Sequence, residues 1–310
     1  MIRFQSTYRY ASVLLGIVCP ALAVAAEGPQ RVKLTTADGV EIVARYEVGP
    51  KGRKSPTVLI LNGIGENRRP AVCDAIAAEL KRQGCATLCF DFRGFGASTI
   101  VNEQFWDDAT NRKLVRGYRA NAASERITFA DFKPGYSRRM VNDVAAARAF
   151  LDRRNDASEC NSGHLLVLGL REGASIGAMW VTTEWSRYRE TGGFNARLAA
   201  NPEGRDILGC IWIDPVTAYD RQHVPLLECI KRASNKHTTF VATLHATDND
   251  SLIKLSRQCS EALNKKTSRV FVSKPMERGQ NTSIVDNGSL VSVGKRLIFD
   301  FVLGLDAGAR

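Results

Sequence analysis

Leu165-Leu166-Val167-Leu168-Gly169-Leu170-Arg171-Glu172-Gly173-Ala174 joins a short apolar run, a glycine stop and the start of a helical pattern. Four apolar residues in a row, with no polar alternation, predict a strand over Leu165–Leu168 that is covered on both faces. A helix is predicted near Ala174–Trp185. Upstream, Arg138–Arg154 has helical periodicity with Met140, Val144, Ala147 and Leu151 on one side. Thr57–Leu61 and Ala86–Phe92 repeat the buried-strand pattern. Between them Pro70–Gln83 reads as a helix with Val72, Ile76, Ala77 and Leu80 inward, and Gly84 stops it. At the front, Val32–Thr36 and Glu41–Tyr46 flank Asp38-Gly39, a hairpin signal. Downstream, strands at Leu208–Ile213, Phe240–Leu244 and Arg269–Val272 alternate with helices at Leu226–Ala233, Leu252–Asn264 and Val291–Leu303. Such alternation implies an α/β fold, with a mainly parallel central sheet and helices on both faces.

No linker rich in Pro, Gly or Ser divides the chain, so residues 26–310 are expected to form a single domain. The stretch Thr99–Tyr136 lacks clear periodicity, and it carries Phe105, Trp106, Tyr118, Phe129 and Phe132 among many charges. It reads as an insertion, either a functional lid or an excursion packed on its own aromatics.

Composition narrows the class further. The 310 residues are 44% hydrophobic and 24% charged, which excludes a disordered chain, a collagen-like fibre and a small disulfide scaffold. The N-terminus carries Arg3 and Arg9, then an apolar run from Ala11 to Val24, then the small-x-small site Ala23-Val24-Ala25. This pattern predicts a secretory signal peptide over residues 1–25, hence an exported protein, periplasmic or secreted. No membrane span is expected after cleavage. Loss of Arg3 and Arg9 takes the basic residues from 43 to 41 against 32 acids, or +9. The positive charge is spread, with no run of five Lys/Arg, so no specific nucleic-acid partner is expected. A general polyanion-binding surface is the weakest of three functional readings.

Export permits disulfides. Cys19 leaves with the signal, and Cys73, Cys85, Cys89, Cys160, Cys210, Cys229 and Cys259 remain. That odd number leaves at least one free thiol. Cys89 and Cys210 lie in apolar runs as buried thiols, and Cys229 and Cys259 fall on two predicted helices that a bridge could join. With no C-x-x-C pair, no metal site is expected, and no cofactor either.

Four loops share one character. Asn62-Gly63-Ile64-Gly65-Glu66-Asn67-Arg68 follows the first buried strand, and Asp91-Phe92-Arg93-Gly94-Phe95-Gly96-Ala97-Ser98 the next. Gly169 to Ala174 follows the third, and His245-Ala246-Thr247-Asp248-Asn249-Asp250 a late one. In order, spacing and loop chemistry the chain resembles the α/β-hydrolase fold family, in the branch of serine aminopeptidase-like and dienelactone hydrolase-like proteins. The likeness runs from about Arg31 to Leu305, and D-x-R-G-x-G-x-S is its most specific string.

The resemblance implies a triad that this chain lacks in part. The family nucleophile sits in G-x-S-x-G on the turn directly after a strand. That register falls on Arg171, whose guanidinium has no lone pair for attack. Another G-x-S-x-G occurs at Gly173–Gly177, but its Ser175 lies one helical turn later. The family histidine follows the last strand, where Pro275 to Asn281 holds none. The chain's histidines are His164, His223, His237 and His245, and only His245 is near the acid loop. Asp248, Asn249 and Asp250 crowd the acid position. Asn62-Gly63 replaces the family's His-Gly after the third strand. The expected pocket therefore comprises Asn62, Gly63, Ile64, Arg171, Glu172, Asp248 and Asp250, with backbone N–H groups forming an anion-binding concavity. Glu172 either leaves the floor electropositive or neutralises Arg171 in a salt bridge. These residues suit a non-catalytic binding or scaffold protein that holds a small anionic ligand or a peptide terminus. The alternative is an atypical hydrolase using Ser175, Glu172 or Asp250.

Overall fold

The computed structural model describes residues 28–65, 70–119, 123–191, 197–219, 222–235, 240–246, 250, 253–255, 257–258 and 272–276. The expected signal segment over residues 1–25, the expected helix at Val291–Leu303, His237, Asp248 and Cys259 lie outside them. The chain opens with the hairpin β1 (Gln30–Thr35) and β2 (Val40–Glu47). Then come β3 (Pro56–Leu61), α1 (Pro70–Arg82), β4 (Ala86–Phe90) and the short β5 (Ile100–Val101). Two short helices follow, α2 (Glu103–Asp107) and α3 (Ala109–Leu114), then the long α4 (Val141–Asp156). Next are β6 (Asn161–Leu170), α5 (Glu172–Glu184), the hairpin β7 (Tyr188–Thr191) and β8 (Arg197–Pro202), and β9 (Ile207–Ile213). The small hairpin β10 (Ala218–Tyr219) and β11 (Gln222–His223) precedes α6 (Leu226–Asn235), β12 (Phe240–Ala246) and β13 (Val272–Met276).

The main sheet runs β1-β2-β4-β3-β6-β9-β12-β13, with β5 beside β2. Every pairing from β4 to β13 is parallel, and the β1–β2 hairpin is antiparallel. The continuous apolar runs are explained by two covered faces. Val58, Ile60, Leu166, Leu168, Ile211 and Ile213 share a core with Val72, Cys73, Ile76, Ala77 and Leu80 of α1. The alternate residues Leu59, Leu61, Leu165, Val167, Cys210 and Trp212 share the other core with α4, α5 and α6, through Val144, Leu151, Ile176, Trp180 and Ile230. Each fully buried leucine or isoleucine contributes about 1.5–3 kcal/mol relative to exposure.

Several boundaries differ from the sequence reading. The elbow strand begins at Asn161, not Leu165. The fourth helix begins at Val141, not Arg138, because Tyr136–Met140 is a tight 3-10 turn entered through Gly135 at φ 92. The last described strand is Val272–Met276, so Pro275 and Met276 belong to the strand rather than to the loop after it. Of the expected Leu252–Asn264 helix, residues 253–255 and 257–258 are described, and they are helical.

The 99–136 stretch is not formless. It holds α2 and α3 and buries Phe105, Trp106 and Ile127 in the core shared by α4 and α5. Its rings also pack on one another, Phe129 on Phe132 at 5.9 Å and Phe132 on Tyr136 at 4.4 Å. It docks on the Asp91–Ser98 loop. A Cβ at Gly94 would stand 2.7 Å from the Phe132 ring, and the Phe129 N–H donates to the Gly94 carbonyl at 3.1 Å.

The D-x-R-G string also anchors a buried ion network. Arg93 is fully buried and bidentate to Asp38 at 2.6 and 2.9 Å. Its Nε donates to Asp143 at 2.7 Å, and its Nη1 also donates to the Tyr136 hydroxyl at 3.0 Å. Arg139 extends the network by bridging Asp38 and Asp108. Hairpin turn, strand loop, insertion and α4 are thus tied at one point. Burial would raise the Asp38 carboxyl, but the Arg93 contacts, the Thr36 hydroxyl and Arg139 outweigh it and hold it well below the usual range. Burial instead pushes Asp143 up to about 6, against the pull of Arg93.

Candidate functional site

The carboxyl ends of β3, β4, β6 and β9 gather the loops that open α/β sheets use for ligands. At the centre Arg171 follows β6 with φ 49 and ψ −114. A non-glycine residue pays about 1–3 kcal/mol for such a conformation, so the surroundings must enforce it. They do so through hydrogen bonds and close packing. The Arg171 N–H donates to the Ile213 carbonyl at 2.8 Å, and the Ala174 N–H donates to the Arg171 carbonyl at 3.1 Å. A Cβ at Gly169 would stand 2.4 Å from Ala174 Cα, and one at Gly173 would stand 2.3 Å from the Asn62 carbonyl oxygen. The two glycines that flank the elbow are therefore Gly169 and Gly173, in the pattern G-x-R-x-G, with a guanidinium where the fold usually presents a nucleophile.

The Arg171 side chain is exposed, and among the described residues its guanidinium has no hydrogen-bond or ion-pair partner. Glu172 does not pair with it. That side chain turns inward, is 8% exposed, and accepts the Ile64 N–H at Oε2 over 3.3 Å. The expected anion-binding concavity is therefore already engaged at Ile64 by the chain's own carboxylate. The floor combines an outward cation with an inward anion. Asn62, Gly63 and Ile64 are buried directly after β3.

Ser175 lies in the first turn of α5, fully buried, and its hydroxyl donates to the Val216 carbonyl at 2.5 Å. Its hydrogen is thus committed to a backbone acceptor that cannot serve as a general base. The Gly173–Gly177 pattern has a packing explanation, since a Cβ at Gly177 would meet the Leu61 and Trp212 side chains at 2.7 and 2.9 Å. His164 is half-buried inside β6, and His223 is exposed on β11. His245 stands in β12 opposite Pro275. Asp250 is exposed and helical.

One acidic residue escaped the sequence reading. Asp214 directly follows β9 with φ 45, beside the elbow, because Ile213 pairs with Leu170. An acid closing an apolar strand, Ile211-Trp212-Ile213-Asp214, was the available signal. The six described cysteines are all buried free thiols. Among the described residues no group of three or more His, Cys, Asp or Glu could hold a metal ion, and no helix is long and apolar enough to cross a membrane. A separate cavity of about 310 Å³ lies between α4, α5 and the 223–225 segment, bordered by Val141, Met179 and His223, and includes none of the elbow residues.

Comparison with known proteins gives the class. No protein-family model matches the chain, and no curated protein sequence does. Solved structures match along nearly the whole length. Esterase 2 from Thermogutta terrifontis has a TM-score of 0.56 at 13% identity, with 91% of this chain and 96% of the other covered. A hyperthermophilic esterase from the archaeon Pyrobaculum calidifontis gives 0.54 at 13% identity over 92% and 87%. A sugar hydrolase from Lactococcus lactis gives 0.53 at 13% identity over 90% and 98%. The protein has the α/β-hydrolase fold. At these identities the likeness establishes architecture, and the chemistry rests on the residues of the site.

Proposed function

We propose that this is an exported α/β-hydrolase-fold protein that binds its ligand without turning it over. Arg171 supplies the main contact, to an anionic group of a small molecule or peptide terminus. One observation carries this reading: a guanidinium occupies the strained elbow after β6. A guanidinium cannot attack a carbonyl, and it offers bidentate donors that fit a carboxylate or phosphate. Loss of a triad nucleophile alone costs several powers of ten in rate. Ser175 is a poor substitute, being buried and bonded to Val216. Export is inferred from the charged start, apolar run and small-x-small site of residues 1–25.

The test is calorimetry of the purified chain with acetate, inorganic phosphate and a short free-carboxyl peptide. At least one probe is expected to bind, and Arg171→Ser is expected to abolish that binding. Binding that persists unchanged in Arg171→Ser would refute the assignment.

A further inference from the structure

The cavity between α4, α5 and the 223–225 segment lies apart from the elbow, and the Arg171 reading gives it no task. Three elements build its walls. Val141 opens α4 directly after the 3-10 turn Tyr136–Met140. Met179 and Thr183 stand one turn apart on α5 and share a face. Val224 and Pro225 close the third side. That segment is fixed, because the Val224 N–H donates to the Thr217 carbonyl at 2.9 Å and the Leu226 N–H to the Val224 carbonyl at 2.7 Å. Val224 belongs to the main core, and Val141 and Met179 pack half-buried against it. The walls therefore stand before any ligand arrives. The Thr183 hydroxyl already donates to the Trp180 carbonyl at 2.7 Å.

Two further lining residues are polar in a different way. Arg138 and His223 border the cavity, both exposed, and among the described residues neither has a hydrogen-bond or ion-pair partner. No Asp or Glu among the described residues lines it. We propose that this cavity binds a small carboxylate that carries a short apolar tail. Arg138 holds the carboxylate, His223 adds a ring donor, and the tail lies on Val141, Met179 and Val224. A guanidinium meets a carboxylate with two parallel charge-assisted hydrogen bonds. The cation and the imidazole are exposed, whereas Val224 is buried and Met179 half-buried. That order suits a ligand entering tail first, since burying the tail adds hydrophobic free energy and the charge stays near water. The volume of about 310 Å³ stands at the small end of the roughly 300–1,000 Å³ usual for ligand cavities, so the tail must be short. A cationic ligand of the same shape would meet Arg138 with no carboxylate to receive it. This site is independent of the elbow and stands whether or not Arg171 binds an anion.

The test uses the full chain labelled with 13C at the methionine methyls, the Met179 signal being assigned through Met179→Leu. Hexanoate, hexanol and hexylamine are titrated in turn. Hexanoate is expected to shift the Met179 methyl saturably, hexanol more weakly, and hexylamine not at all. Arg138→Gln, a change at an exposed position, should weaken hexanoate about tenfold and leave hexanol unchanged. Arg171→Ser should leave the Met179 response to hexanoate intact. The proposal is wrong if hexanoate leaves the Met179 methyl unmoved, or if hexanol or hexylamine matches it. It is also wrong if Arg138→Gln changes hexanoate affinity by less than about twofold. Loss of the Met179 response in Arg171→Ser would place hexanoate at the elbow, overturning this site while favouring the Arg171 reading.

Discussion

Replacing Arg93 by alanine removes the cation that holds two buried carboxylates. The guanidinium is 0% exposed and spans Asp38 and Asp143, with contacts of 2.6 and 2.7 Å, and it also reaches the Tyr136 hydroxyl at 3.0 Å. Breaking a buried ion pair from one side costs about 3–5 kcal/mol, because the partner stays behind uncompensated. Here two partners stay behind, although Arg139 still faces Asp38 at 3.4 Å. The expected loss is therefore at least about 3–5 kcal/mol. At roughly 2–4 °C per kcal/mol for a chain of this size, Tm should fall by about 6–20 °C. Urea and thermal melts followed by tryptophan fluorescence would read the change. Arg93→Lys should fall between, since an ammonium restores charge without the bidentate fork. Adding Asp38→Asn to Arg93→Ala should recover part of the loss by removing one stranded charge. A loss below about 1 kcal/mol in Arg93→Ala would refute the view that this network ties the hairpin, the insertion and α4 together.

Other consequences follow from the same structure. The Asp143 carboxyl is raised to about 6 in the fold, against about 3.9 unfolded, so the native state holds its proton more tightly. Its contribution is fully present below about pH 4 and is lost as pH rises through about 6, so wild type should lose about 2 kcal/mol across that window relative to Asp143→Asn. Parallel stability curves for the two proteins would contradict this. Gly173→Ala forces a Cβ into the Asn62 and Leu61 backbone oxygens, so it should cost about 1–3 kcal/mol and disturb the Ile64 amide. An unchanged melt would show that α5 has room to move. Ser175→Ala leaves the Val216 carbonyl without that donor and should cost about 1–3 kcal/mol in urea midpoint experiments while leaving anion binding intact. Loss of binding in that variant would place Ser175 in the site after all.

The sheet was legible because strands covered on both faces print as unbroken apolar runs. TVLIL of β3 and the Leu165–Leu168 stretch of β6 needed no long-range information. The elbow register was legible for the same reason, since Gly169 marks where the run must turn. The β7–β8 hairpin was missed because Tyr188-Arg189-Glu190-Thr191 shows no apolar alternation. Within the 99–136 stretch, α3 is short and polar, Ala-Thr-Asn-Arg-Lys-Leu, and is held by capping from Asp108 rather than by an apolar face. The Arg93 network joins residues 50 and 55 positions apart, a pairing that local patterns do not encode. The inward turn of Glu172 was open in the sequence, where a salt bridge to Arg171 was equally compatible. The close approach of α5 to β3 at Gly173 decides the direction, and it exists only in three dimensions.

Intact-mass measurement after exposure of the purified chain to a broad fluorophosphonate bears most directly on whether a binding surface has replaced the acyl-transfer centre. An unchanged mass is expected, since Arg171 offers no nucleophile and the Ser175 hydroxyl is buried against Val216. A stoichiometric adduct that disappears in Ser175→Ala would contradict the account and establish a working serine hydrolase.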